Sequence, residues 1–178
     1  MEIVLPDPSV VMLVGPAGAG KSTFAARHFG ADEILSSDAF RAIVGGNEAD
    51  QSATRPAFAA LHRALARRLA AGRLAVVDAT NVERHARRAI VAKARAAGVP
   101  AVAIVFDLEL DLVLARNARR RERVVDPSVV RRQRATLARL LVDGGAEALA
   151  AEGFAAVHRL TTADAVAGVR LRRQRRRR

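Results

Sequence analysis

Apolar and polar positions along this chain fall into short apolar runs alternating with long amphipathic stretches. Val10–Val14 is an unbroken apolar run of strand length, which predicts a strand buried on both faces. Glu33–Leu35 predicts a short second strand ending at Ser36-Ser37-Asp38. From Pro56 to Ala71 apolar residues recur at helical spacing, with proline at the start and Gly72 at the stop. Leu74–Val77 predicts a third strand closing on Asp78, Glu83–Ala97 a helix stopped by Gly98, and Ala101–Phe106 a fourth strand. Two helices are expected over Asp111–Arg121 and Pro127–Leu141, broken at Val124–Asp126, where Asp126 can cap the second helix ahead of its first-turn proline. Ala155–Leu160 predicts a final strand. Strands alternating with helices imply parallel pairing through crossover helices. The expected fold is therefore α/β: a three-layer α/β/α domain whose mostly parallel five-stranded sheet has the order 2-3-1-4-5. The Val10–Val14 strand is central, the Asp78 strand is its neighbour, and ligands belong at the carboxyl ends of the strands.

The central strand runs straight into Gly15-Pro16-Ala17-Gly18-Ala19-Gly20-Lys21-Ser22, followed by Thr23 and helix formers. This is GxxxxGKS in its strand–loop–helix context. The glycines let backbone N–H groups turn toward phosphates at a helix N-terminus, which favours anions. Lys21 adds a full charge at the β- and γ-phosphates, and the Ser22 hydroxyl is placed to ligate Mg²⁺. Residues Gly15 to Thr23 are thus expected to bind a nucleoside triphosphate.

Composition narrows the class. At 178 residues the chain has the length of one domain, and its 30 basic against 18 acidic side chains give a net charge of +12. Only Lys21 and Lys93 are lysines. Seven arginines lie within residues 170–178, where there is no acid. That run predicts a catalytic domain over 1–168 followed by a basic, disordered tail over 169–178. Arg170–Arg178 then either contacts nucleic acid or forms a solvated end. Absence of cysteine excludes disulfides, thiolate zinc sites and cysteine nucleophiles. The four histidines are scattered without ligand spacing. No apolar stretch approaches the roughly 18–20 residues that span a bilayer, and the first residues lack a secretory pattern, so a cytoplasmic enzyme without a membrane partner is expected.

Phosphoryl transfer needs neutralised phosphate charge, in-line placement and a proton acceptor. Asp38, at the exit of the second strand, is the candidate acceptor, with Arg41 one helical turn on to grip an anionic group. On spacing alone, Ser36-Ser37-Asp38 serves equally well as a helix cap. Asp78 ends its strand where a carboxylate of the magnesium shell is expected, acting through water, and Thr80 and Asn81 follow in position to orient it or touch the acceptor. Arg116, Arg120 and Arg123 recur along one helical stripe, either a solvated face or an arginine lid over about 116–142. Only six aromatics are present, all Phe, which counts against extended strand binding by the body of the domain; Phe58 reads as core.

Several of these stretches occur together, in order and at this spacing, in one family. Gly15–Ser22, Ser36-Ser37-Asp38-x-x-Arg41, Asp50-Gln51, Val76-Val77-Asp78-Ala79-Thr80-Asn81-Val82 and the arginines from Arg116 to Arg123 resemble the 5′-hydroxyl polynucleotide kinase domain of bacterial RNA end-healing enzymes, a P-loop kinase similar to phage polynucleotide kinase. The resemblance covers about residues 9–160. It implies ATP and Mg²⁺ as cofactors and a 5′-hydroxyl of RNA or DNA as acceptor. Asp38 would be the general base, Arg41 and Arg116 would contact the acceptor phosphate and the transferring group, and Arg120 and Arg123 would cover the nucleotide. Gln51 and Asn81 fall on the acceptor side. The family's repair enzymes carry phosphatase and ligase modules for which this chain has no room. A small-molecule O-phosphotransferase on the same fold, acting on a sugar, nucleoside or antibiotic hydroxyl, is the alternative, and a nucleic-acid-binding ATPase is a third. A GTPase switch is not expected, since neither Asp-x-x-Gly nor Asn-Lys-x-Asp is present.

Overall fold

In a computed structural model, described for residues 1–45, 54–120 and 123–175, the apolar run at Val10–Val14 forms strand β2, with all five residues fully buried. Its alternate side chains feed two different cores. Val11 and Leu13 join Ile104, Phe106 and Phe24 on one face, whereas Val10, Met12 and Val14 join Leu61, Leu65 and Ile90 on the other. Two-sided burial explains why the run carries no polar alternation.

An N-terminal strand β1 (Glu2–Asp7) precedes β2. Helix α1 (Lys21–His28), strand β3 (Ile34–Ser36) and helices α2 (Ser37–Gly45) and α3 (Thr54–Ala70) follow. Then come β4 (Ala75–Asp78), α4 (Arg84–Ala96), β5 (Ala101–Phe106), α5 (Leu110–Ala118), α6 (Pro127–Val142) and α7 (Gly145–Ala151). The chain closes with β6 (Ala156–Leu160), α8 (Ala163–Ala167) and β7 (Arg170–Arg175). The main sheet is five-stranded in the order β3-β4-β2-β5-β6, parallel throughout. That is the arrangement expected from the alternating pattern. Helices α1 and α5 cover one face, and α3, α4 and α7 the other. Helix α6 serves both cores, through Val130 and Leu137.

Register sets the position of the site. Leu13 lies opposite Asp78, and Asp78 opposite Ser36, so the carboxyl ends of β2, β4 and β3 form one edge. Val14 lies opposite Val105, bringing the exit of β5 to the same edge. The turn after β4 is locked there by Asn81. Its side-chain amide donates to the Leu13 and Ala79 carbonyls at 2.8 and 3.3 Å, and its backbone takes φ 50. The buried Arg87 reinforces this turn, donating to the Val82 carbonyl at 2.6 Å and pairing with Glu152 at 2.7–2.8 Å.

The tail departs from expectation. Arg170–Arg175 is not disordered but pairs in parallel with β1, in register from Glu2↔Arg170 to Asp7↔Arg175. β1 itself had no sequence reading. Ile3 and Leu5 of β1 are fully buried and Leu171 packs beside them, while Arg173 binds Glu33 at 2.7 Å and lies over the Phe29 ring. The arginines obscure a strand because Leu171 is its single apolar residue and the apolar anchoring comes from β1. Helices α7 and α8 were also not foreseen; each is short. A chain ending at Val169 should therefore lose the cover over Ile3 and Leu5 and melt about 5 °C or more lower by calorimetry.

Candidate functional site

The phosphate loop begins at Gly15, whose N–H donates to the Thr80 carbonyl at 2.9 Å and so joins the loop to the turn after β4. Gly18 and Gly20 take φ of 85 and 88, conformations that L side chains rarely adopt. A Cβ at Gly18 would also collide with the Val113 carbonyl of α5. The loop is thus held against α5 and opens onto a cavity of about 810 Å³.

Lys21 is buried, and its Nζ donates to the Pro16 carbonyl at 2.8 Å. Burial lowers its ammonium from 10.5 to about 8; Asp78 opposes the drop and the nearby Arg120 adds to it. Asp78 is buried too, which pushes its carboxyl above the ordinary value against the pull of Lys21 and of a hydrogen bond from the Ser22 hydroxyl. Ser22 and Asp78 therefore meet at one point, the pairing needed for a magnesium ion held by one hydroxyl, a carboxylate, water and phosphate oxygens. Among the described residues no group of three His, Asp or Glu side chains forms a protein-only metal cage. That donor set fits an ion brought in by a nucleotide.

Asp38 and Arg41 line the same cavity from α2, as do Lys21 and Ser22 of the phosphate loop. The two side chains touch each other, and Arg41 is buried. Asp38 Oδ1 also accepts from Arg123 Nη1 at 2.7 Å, and Arg120 Nη2 stands 3.6 Å from Oδ2. Three guanidinium groups thus converge on one carboxylate. The arginines do not form one helical stripe, because α5 ends at Ala118 and Arg120 and Arg123 follow it in the connection to α6. Arg116, Arg120 and Arg123 nevertheless all line the cavity, with an Arg116 guanidinium nitrogen 3.6 Å from the point where a Gly20 Cβ would stand. Ala17, Thr23 and Thr80 line it as well.

Two expected acceptor residues are not among the described residues that line the cavity. Asn81 is buried, its Nδ2 donates to the carbonyls of Leu13 in β2 and Ala79 in the turn, and it is not among the residues that line the cavity. Gln51 lies outside the described residues. Other contacts had no sequence signal. Gln133 of α6 accepts the Ala17 N–H of the phosphate loop at 2.9 Å. Asn117, buried at the end of α5, donates to the Val125 carbonyl at 2.6 Å and accepts the Val125 N–H at 3.1 Å, clasping the connection that carries Arg120 and Arg123. Asp107, just past β5, binds Arg134 of α6 at 3.0 Å and Arg159 at 2.8 Å. Phe58, expected in the core, is half-buried and lines the cavity. The signal for it was present: the inward stripe of α3 is Ala57, Leu61, Leu65 and Leu69, one position off Phe58.

The buried Lys21 carries a stability signature. The unfolded chain holds this proton up to 10.5 and the folded chain releases it near 8, so folding is favoured increasingly between those values. With no Tyr or Cys and Lys93 the only other lysine, few groups compete in that window. Denaturant titrations should show stability rising by up to about 3 kcal/mol from pH 8 to 10.5, and Lys21→Met should abolish the rise.

Solved structures share this architecture. One is a chain of the Pnkp1/Rnl/Hen1 RNA repair complex, with TM-score 0.67 and 19% identity over 78% of this chain and 47% of that one. The present chain thus spans about half the length of that relative. A putative kinase from Chloroflexus aurantiacus J-10-fl gives TM-score 0.58 at 15% identity, covering 88% of this chain and 86% of that chain. A gluconokinase from Sinorhizobium meliloti 1021 gives 0.53 at 18%, covering 92% and 87%. No curated protein matches the sequence. The likeness shows the fold, a three-layer α/β/α arrangement around a parallel five-stranded sheet. The family model AAA_33, described as an AAA domain, matches residues 10–140, from the central strand through α6, and the chain belongs to that family.

Proposed function

We propose that this protein transfers the γ-phosphate of ATP to the 5′-hydroxyl of RNA or DNA. The observation that carries the proposal is Asp38, which contacts Arg41 and lines the same cavity as the phosphate loop, close enough to Lys21 to act on its charge. A nucleotide-hydrolysing switch has no use for a carboxylate–guanidinium pair in the cavity that the phosphate loop lines. A kinase needs both a proton acceptor and an anchor for the alcohol. The Ser-Ser-Asp-x-x-Arg and Asp-Ala-Thr-Asn-Val segments, and the similarity to a chain of an RNA repair complex, favour a polynucleotide acceptor. The exposed Arg170 and Arg175 of β7 would add attraction for a phosphate backbone.

In this scheme the loop amides and Lys21 hold the β- and γ-phosphates, and Ser22 and Asp78 would hold Mg²⁺, which supplies charge neutralisation at the phosphates. Asp38 Oδ1 is engaged by Arg41 and Arg123, which leaves Oδ2, with Arg120 at 3.6 Å, to take the hydroxyl proton. The acceptor oxygen forms a bond to the γ-phosphorus as the bond to the bridging oxygen breaks, and ADP leaves with that electron pair. Arg116, beside Gly20, neutralises charge on the moving group. Arg120 and Arg123 belong to a lid that spans the acceptor acid and the nucleotide.

A second reading, a small-molecule O-phosphotransferase, is favoured by the likeness to the gluconokinase, which shares this fold over 92% of the present chain. Transfer of label from γ-labelled ATP to 5′-hydroxyl oligonucleotides, compared with sugars and nucleosides, separates the two. Label on the oligonucleotide supports the proposal; label on small alcohols alone overturns it. Asp38→Asn should lower transfer by about 10²–10⁴-fold while calorimetry finds ATP affinity within a few-fold of the parent. Arg116→Ala should lower kcat more than it raises KM for ATP in steady-state assays.

A further inference from the structure

The chain has six aromatic residues, all Phe, and five have evident packing roles. Phe24 and Phe106 meet edge-to-face with ring centres 5.3 Å apart, both buried in the core that Phe29 also joins. Phe154 is buried in the second core, and Phe40 packs against it. Phe58 belongs to neither. It stands one position off the inward stripe of α3, is half-buried, and lines the cavity with Asp38 and Arg41 of α2. Folding alone gives little reason to leave a phenyl ring there, because the exposed part of the ring forgoes the gain of burial. A π-face beside a proton acceptor and a guanidinium is, in contrast, what a nucleoside acceptor requires: stacking for its base, a base for its hydroxyl, a cation for its phosphate.

We propose that Phe58 is the platform on which the 5′-terminal nucleobase of the acceptor stacks, so that the attached 5′-hydroxyl is delivered to Asp38. This rests on the polynucleotide kinase reading and adds to it the residue that selects an acceptor with a flat ring. Stacking tolerates any base, because every base presents a π-face, so the site would discriminate nucleotides from open-chain polyols without reading sequence. It also answers the scarcity of aromatics: Phe24 lines the cavity too but is buried in the core, and one accessible ring suffices when only the terminal nucleotide must be gripped.

The test compares two oligonucleotide acceptors that share a 5′-hydroxyl, one with a normal 5′-terminal nucleoside and one with an abasic 5′-terminal sugar. Each is assayed with the parent protein and with Phe58→Ala, Phe58→Leu and Phe58→Trp. The parent should show a KM about tenfold or more higher for the abasic acceptor. Phe58→Ala and Phe58→Leu should show that same increase on the normal acceptor and no further increase on the abasic one, with KM for ATP unchanged. Phe58→Leu fills similar space and should melt with the parent, which separates stacking from packing. Phe58→Trp should restore discrimination. A parental KM in Phe58→Leu, or a penalty in Phe58→Ala equal on both acceptors, overturns the stacking role and leaves the kinase reading standing. No transfer to any oligonucleotide by the parent protein overturns both.

Discussion

The pairing of β2 with β4 on one side and β5 on the other is the constraint from which the site follows. Because Leu13 is in register with Asp78 and Asp78 with Ser36, the phosphate loop, the buried acid and the start of α2 leave the sheet along one edge. A slip of one residue would turn Asp78 to the opposite face and send alternate members of Val10–Val14 into the wrong core. Burial of every β2 side chain makes that slip expensive. Asn81 and Gly15 then stitch the two strand exits together through the Leu13 and Thr80 carbonyls, so the loop and the acid move as one body.

Charge at this edge is unbalanced. Lys21, Arg41, Arg116, Arg120 and Arg123 line one cavity that offers Asp38 and Asp78 as its counter-charges near the loop. Burial lowers the Lys21 ammonium most, and Arg120 lowers it further against the opposing pull of Asp78. Such convergence is unfavourable in isolation and becomes favourable when a polyanion enters. The half-buried Asp38 draws three guanidinium groups, and the same arginines line the cavity that a triphosphate would share.

The connection between α5 and α6 is anchored at three places rather than hanging as a free flap. Asn117 closes its base by imitating a backbone pair with Val125. Arg134 ties α6 to Asp107 at the exit of β5, and Gln133 reaches the Ala17 amide of the phosphate loop. Gly18 lies against the Val113 carbonyl and Asn117 of α5. A change in the loop is therefore felt directly where the arginines are mounted, through contacts rather than through distance.

Much of this was legible in one dimension. Strand and helix order, the phosphate loop, and the placing of Asp38 and Asp78 at strand exits depend on local periodicity and spacing, which the chain carries residue by residue. Only the tertiary structure decided the rest. Arg170–Arg175 is a strand because Ile3 and Leu5, at the other end of the chain, bury its neighbour; its own composition is that of a solvated run. Asn81 reads as an acceptor contact, yet its side-chain N–H groups go to the Ala79 carbonyl of its own turn and to the Leu13 carbonyl, which approaches only once β2 and β4 pair. Arg123 finds Asp38 across 85 positions, and Phe58 meets the cavity because α3 is rotated to bury Leu61 and Leu65. Local pattern specifies which face of an element is apolar; what a polar or aromatic side chain touches is set by how the elements pack, and no spacing along the chain encodes that.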